Sequence, residues 1–217
     1  MTIRILIADD QQLFRDGLRS LIEHENDMDV VAEAGNGREA IELAKTFKPD
    51  LIVMDINMPD LNGIDATQVI CEALPDIKLI ALSIHSTQKF VSGMLKAGAS
   101  GYIVKHCAFK ELAMAIRTVS GGKPYLCTEI LSTVMDEFVS NSSSGQQSVF
   151  SALSTREREV MQLVAEGIKS EKIASRLFIS VKTVSSHRGH IMKKLNLKSH
   201  TDITRYAISE GLISSEY

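Results

Sequence analysis

Five short apolar runs, each followed by a stretch of mixed apolar and charged residues, occupy the first half of the chain. They are "RILIAD" (4–9), "DVVAEA" (29–34), "LIVMDI" (51–56), "KLIALS" (78–83) and "GYIVK" (101–105). Residues 51–54 are apolar at consecutive positions instead of alternating, which suits a strand buried on both faces of a parallel sheet. The stretches between carry apolar residues at helical spacing, as in Leu13, Gly17, Leu18, Leu21 and Ile22, or Ala40, Ile41 and Ala44. Five βα units joined by right-handed crossovers predict an open, doubly wound α/β domain. Its five-stranded parallel sheet would carry the ligand site at the carboxyl ends of the strands.

The pattern changes after residue 120. "GGKPYLC" leads into a helix-like stretch at 128–139, and then "SNSSSGQQS" (140–148) has no apolar period and resembles a flexible linker. Residues 149–217 show four short helical patterns and no strand. In the first, Ser154 and Glu157 have capping-box spacing, and Leu153, Val160, Leu163, Val164 and Ile168 share a face. The second, "SEKIASRLF", has Ile173, Ala174 and Leu177 as core positions. A tight "IS" turn follows, Ser180 can cap the third helix, and Val184, Ile191 and Leu195 point inward. Helix, tight turn and helix suggest a helix-turn-helix. The expected organisation is an α/β domain at 1–122, a linker with one helix at 123–149, and a smaller all-α four-helix domain at 150–217.

Charge sharpens this division. The net charge of −3 splits into 13 Lys+Arg against 20 Asp+Glu over residues 1–148, or −7, and 11 against 7 over 149–217, or +4. Between Lys172 and Thr201 there are seven Lys or Arg and no acidic residue, a stripe that attracts phosphates. With Val184 central to the buried face and about 100° per residue, the outward positions are Lys182, Ser185, Ser186, Gly189, His190 and Lys193. With 44% hydrophobic residues the chain can bury real cores. No run reaches the roughly 18 apolar residues of a membrane span, and "MTIRILIADD" is unlike a signal peptide, so a cytoplasmic protein with no membrane partner is expected. Cys71, Cys107 and Cys127 are odd in number and lack metal-ligand spacing, which argues against a disulfide framework or a zinc site. His187 and His190 are three apart on a helix but have no third ligand nearby in the sequence.

The candidate chemistry sits at strand ends: Asp9 and Asp10 after the first, Asp55 after the third, Ser83 after the fourth and Lys105 closing the fifth. In a parallel sheet these ends share one edge. Crowded carboxylates either hold a proton or bind a cation, and hard oxygen ligands without His or Cys argue for Mg²⁺. A lysine facing that cation across a central carboxylate is an arrangement for phosphoryl transfer, with the carboxylate able to act as nucleophile.

"ILIADDQ", "LIVMDINMPDLNGID", "ALSIH" and "AGASGYIVK" together resemble the receiver domain of two-component response regulators, over about residues 2–120. The resemblance implies a flavodoxin-like fold in which Asp55 accepts a phosphoryl group from a histidine kinase. Asp10, Asp55 and the Asn57 carbonyl would hold Mg²⁺, with Asp9 assisting through water. Ser83 would bond the phosphoryl oxygens, Lys105 would pair with the charge on Asp55, and Tyr102 would change rotamer with Ser83. His85, two residues after Ser83, would tune the lifetime of the acyl phosphate. Many receivers have a cis-proline after the lysine, whereas His106 stands here, so no cis bond is expected.

The segment beginning "LSTREREVMQLVAEG" and continuing through "ISVKTVSSHRGHIMKKLN" is similar to the DNA-binding domain of LuxR-type regulators, over about residues 150–213. The two resemblances together identify a NarL/FixJ-type response regulator. They imply double-stranded DNA as a partner, a recognition helix at 181–195, and a last helix at about 201–211 that pairs two domains. Ser185, Ser186 and Gly189 would face base edges, and Lys182, Thr183, Arg188, Lys193 and Lys194 would contact phosphates, with sequence read partly through shape. Phosphorylation would favour a homodimer, and in the resting chain the receiver would mask the recognition helix. The chain is thus expected to phosphorylate itself at Asp55 without turning over an external substrate. Two rivals are a Mg²⁺ phosphohydrolase, disfavoured because Asn57 replaces the second aspartate such a nucleophile would need, and a constitutive DNA binder with a vestigial receiver.

Overall fold

The computed structural model describes residues 2–132, 134 and 152–213. The chain divides into two compact units, residues 1–144 and 145–217.

The first unit alternates strands β1 (Ile3–Ala8), β2 (Met28–Ala34), β3 (Leu51–Asp55), β4 (Lys78–Ser83) and β5 (Gly101–Val104) with five helices. These are α1 (Gln12–Glu23), α2 (Gly37–Phe47), α3 (Gly63–Ala73), α4 (Gln88–Ala97) and α5 (Lys105–Ser120). All strand pairs are parallel, in the order β2-β1-β3-β4-β5 and then a short sixth strand, β6 (Tyr125–Leu126). Every residue of β3 is buried, as its unbroken apolar run requires, whereas β2 at the sheet edge alternates. Ile5, Ile7, Leu51, Val53, Ile80 and Leu82 share a core with Leu18 and Ile22 of α1 and Leu112 and Ile116 of α5. The intervening strand residues Leu6, Ile52 and Met54 are fully buried on the opposite face, where α2, α3 and α4 pack in succession.

The sheet has six strands, not five. Tyr125 and Leu126, expected in the linker, form β6 (Tyr125–Leu126) beside Gly101 and Tyr102 of β5. Of the helix expected over 128–139, residues 128–132 and 134 are helical, and the rest lies outside the described residues. Leu13, expected on the buried stripe of α1, is 85% exposed. α1 begins only at Gln12, and Phe14 packs on the core instead.

One close approach places the site. A Cβ on Gly63 would lie 1.9 Å from the Asp55 carbonyl oxygen, so only glycine lets α3 start against the end of β3. The Gly63 amide donates to the Ile56 carbonyl at 2.8 Å, and Asn62 caps α3 by accepting from the Asp65 amide at 2.9 Å. The loop after Asp55 is thereby folded back over the strand ends.

The second unit consists of α6 (Thr155–Ala165), α7 (Ser170–Arg176), α8 (Val181–Lys194) and α9 (His200–Ser209). The Ser154–Glu157 capping box is formed, Ser180 caps α8, and a second capping box joins Ser199 and Asp202 at α9. Val160, Leu163, Ile173, Val184, Ile191, Ile203 and Ala207 make a separate core in which all four helices take part. Val164, Ile168 and Leu195 are only half-buried at its margin. Among the described residues no helix is long and apolar enough to cross a membrane.

Candidate functional site

Parallel register brings the expected residues to one edge. Asp55 pairs in register with Leu82, and Ser83 with Val104, so the exits of β3, β4 and β5 are adjacent. Carboxylate oxygens of Asp9, Asp10 and Asp55 all lie within 4.8 Å of one another. Asp9 and Asp55 are buried at 1% and 4% exposure, and Asp10 faces solvent. Lys105 is the first residue of α5 and not the last of β5. Its Nζ lies 2.7 Å from Asp9 Oδ2 and 2.9 Å from Asp55 Oδ2, with the Phe14 ring 4.8 Å away. One ammonium is thus shared by two buried carboxylates instead of facing Asp55 alone, because neither charge could stay buried without it. The peptide after Lys105 is trans, as are all described peptides.

The charge remains unbalanced. Burial, followed by repulsion from Asp9, pushes the Asp55 carboxyl up to about 7 against the pull of Lys105. Burial and Asp9 also raise Asp10. For Lys105 burial works to lower the pKa, but the Asp55 and Asp9 charges outweigh it and the ammonium is held above its usual value. Asp55 Oδ1 accepts the Ile56 amide at 2.7 Å, and Asp9 Oδ1 accepts that of Gln11 at 3.0 Å. The pocket is therefore an all-oxygen donor set that, fully ionised, sets three negative charges against one positive.

Ser83 and Tyr102 meet through His85. The His85 amide donates to Ser83 Oγ at 3.0 Å, and Tyr102, fully buried, donates from its hydroxyl to the His85 carbonyl at 2.7 Å. Asn57 Nδ2 lies 3.0 Å from His85 Nε2, an approach in which the amide nitrogen donates and the ring nitrogen accepts. Burial, then Lys89, keeps the His85 pKa low in agreement. The His85 ring stacks on Phe90 at 4.4 Å. Asn57 Oδ1 is buried and has no hydrogen-bond partner.

On α8 the outward positions derived from the helical period are exposed: Lys182, Ser185, Ser186, Gly189, His190 and Lys193. No atom lies within 4 Å of a Cβ placed on Gly189, so the fold itself does not demand glycine there. Three expected phosphate contacts are less free. Lys194 Nζ is bonded to Glu157 Oε2 of the α6 capping box at 2.7 Å, and Arg188 Nη1 reaches Ser170 Oγ at 3.1 Å. Thr183 is half-buried, and its Oγ1 lies 2.8 Å from Ser180 Oγ.

Residues 5–117 match the response regulator receiver domain family, and residues 151–207 match the luxR family of bacterial regulatory proteins. The chain is a response regulator. It is 38% identical over 215 residues to the oxygen regulatory protein NreC of Staphylococcus aureus (strain JH9), covering 97% of this chain and 99% of that protein. The response regulator ChrA of a heme-sensing two-component system shares 32% identity over 98% of this chain and 99% of its own, with a TM-score of 0.54. A LuxR-family two-component response regulator from Aurantimonas sp. SI85-9A1 shares 34% over 64% of this chain and 99% of its own, with a TM-score of 0.62. This response regulator thus pairs a receiver with a LuxR-type DNA-binding domain, and its output is phosphorylation-dependent control of transcription.

The fold of this response regulator also joins residues whose sequence spacing gives no hint of a site. His106, Cys107 and Glu129 offer a nitrogen, a sulfur and an oxygen all within 4.8 Å of one another. The 21 residues between Cys107 and Glu129 hide the pairing, which depends on β6 turning the chain back along α5. The signal for it in the sequence is "YLC", whose pairing as an edge strand sets Glu129 beside the start of α5.

Proposed function

We propose that Asp55 is the residue phosphorylated, that a histidine kinase is the donor, and that Mg²⁺ is the cofactor. The observation that carries this reading is the unbalanced pocket: three carboxylates meet one ammonium, with Asp55 at the centre. Asp10, Asp55 and the Asn57 carbonyl would hold the Mg²⁺, with Asp9 linked through water. The donor set fits, being all oxygen and in surplus of negative charge, and the ion would neutralise charge on the phosphoryl oxygens.

In the transfer an Asp55 oxygen attacks the phosphorus of a phosphohistidine. The P–O bond forms as the P–N bond breaks, and the imidazole nitrogen keeps the electron pair. Lys105, already 2.9 Å from Asp55, stays beside the new acyl phosphate. Ser83 would donate its hydroxyl to a phosphoryl oxygen, and turning toward the phosphate would pull on the bond its Oγ accepts from the His85 amide. The Tyr102–His85 bond is then the next to change, so the loop before α4 has two arrangements that a phosphate can select between. No external substrate would be turned over, and a cytoplasmic location follows from the kinase and DNA partners.

For the output, Lys182 and Lys193 are exposed cations on the outward face of α8, with Ser185, Ser186 and Gly189 toward base edges in the major groove. Thr183, Arg188 and Lys194 would support the phosphate contacts, the last two only by leaving Ser170 and Glu157. Dimerisation upon phosphorylation, through α9, completes the reading, with a receiver at 1–122, a linker at 123–149 and a DNA-binding domain at 150–217. The test is DNA binding on random duplexes at fixed salt with and without beryllofluoride, in the parent and in Asp55→Asn. Beryllofluoride should strengthen binding to a two-part site at least tenfold in the parent and leave Asp55→Asn unmoved. Equal binding in all four conditions would sink it.

A further inference from the structure

We propose that His106, Cys107 and Glu129 form a second cation site, selective for a borderline-soft divalent transition metal of which Zn²⁺ is the type. The three residues come from the first turn of α5 and the helical turn after β6. Imidazole, thiolate and carboxylate are a zinc-type ligand set, unlike the all-oxygen set of Asp9, Asp10 and Asp55, so the two clusters would sort cations by softness.

The geometry needs little change. All three ligand atoms lie within 4.8 Å of one another, and His106 Nε2 is 2.8 Å from Glu129 Oε2. Tetrahedral zinc bonds of about 2.0–2.3 Å set ligand atoms roughly 3.3–3.8 Å apart. Rotation of side chains that are 65% exposed at His106 and 44% at Glu129 supplies that adjustment, and the exposure leaves a fourth position to water. The backbone is already held. Cys127 donates its amide to the Tyr102 carbonyl at 3.1 Å, and Leu126 pairs with Tyr102, which fixes the turn that carries Glu129. Binding would clamp the chain beyond β6 to α5 at the residue next to Lys105, and so tie the exit toward the DNA-binding unit to the phosphoacceptor pocket. The site itself stands independently of the phosphoacceptor reading.

The test uses the reduced full-length chain in millimolar Mg²⁺, which occupies the carboxylate pocket, titrated with Co²⁺ as a spectroscopic stand-in for Zn²⁺. One equivalent of Co²⁺ should produce a thiolate-to-cobalt charge-transfer band in the near ultraviolet that Zn²⁺ abolishes. Cys107→Ser should remove the band, Glu129→Gln should weaken Co²⁺ binding at least tenfold, and Asp55→Asn and Cys71→Ser should leave both unchanged. His106→Ala repeats the test should Cys107→Ser lose its native circular dichroism. Cobalt bound without a thiolate band, or a band that survives in Cys107→Ser, overturns the proposal.

Discussion

Asp55 shows how far one buried charge can shape a protein. Its carboxyl is pushed up to about 7 in the folded chain and is near 3.9 when unfolded, so between those values the native state binds more protons. Stability in the absence of divalent cations should therefore fall as pH rises from 4 to 7, by on the order of 4 kcal/mol at most. Thermal melts at pH 5 and pH 8 should show this loss, Mg²⁺ should restore the pH 8 value, and Asp55→Asn should flatten the profile. A slope that survives in Asp55→Asn would assign it to other groups. The strand-end aspartates were legible in the sequence because unbroken apolar runs mark buried parallel strands, and parallel crossovers bring strand ends together whatever their separation. The sharing of Lys105 and the bonding of His85 to Ser83, Tyr102 and Asn57 were not, since they depend on side-chain directions at tertiary contacts. Gly189 makes a second residue-scale case. Glycine inside a helix costs about 1 kcal/mol against alanine, and nothing in the fold asks for it at 189. Gly189→Ala should stabilise the DNA-binding unit by about 0.5–1 kcal/mol in urea melts yet weaken site-specific DNA binding. Unchanged affinity would show that α8 does not approach DNA closely there.

At the scale of elements, α6 and α8 are joined by a residue that first served as a cap. Glu157 accepts through Oε2 from the Ser154 amide and from Lys194 at the far end of α8. Burial works to raise its pKa, but the Lys194 and Ser154 hydrogen bonds outweigh this and hold it low. Lys194 is thus engaged by Glu157 before it can reach DNA, whereas Lys182 and Lys193 are exposed. Lys194→Ala should destabilise the unit by about 1 kcal/mol and leave the salt dependence of DNA binding nearly unchanged. Lys182→Ala and Lys193→Ala should each do the reverse, reducing the slope of log K against log salt by about 1. Equal slopes in all three variants would refute the division. The capping box at Ser154 was readable from spacing alone, but its second use was not, because 37 residues separate Glu157 from Lys194. For the same reason β6 escaped notice: two residues after Pro124 carry no period, and only pairing with β5 makes them a strand. Leu13 erred in the other direction, since helical spacing cannot say where the first turn begins.

Across the whole molecule, charge and packing make different claims about the resting state. The first 148 residues carry −7 and the remainder +4, so the receiver's negative charge opposes DNA binding by its neighbour wherever the two units sit. Phosphorylation adds about −1.5 to −2 to the receiver, so a simple electrostatic account makes the active state bind DNA more weakly. Activation must then come from releasing or pairing the α8 faces, against the charge. Masking of α8 by the resting receiver, as the family resemblance implies, would be a packing effect that salt scarcely alters. Repulsion would fade once the Debye length drops to about 8 Å near physiological ionic strength. Comparing fragment 150–217, which has its own core, with the unphosphorylated full chain on non-specific duplex separates the two. The fragment should bind more tightly at low salt. If masking governs, the ratio of affinities should persist from 50 to 300 mM salt as both constants fall; a ratio that converges to one would assign inhibition to charge alone.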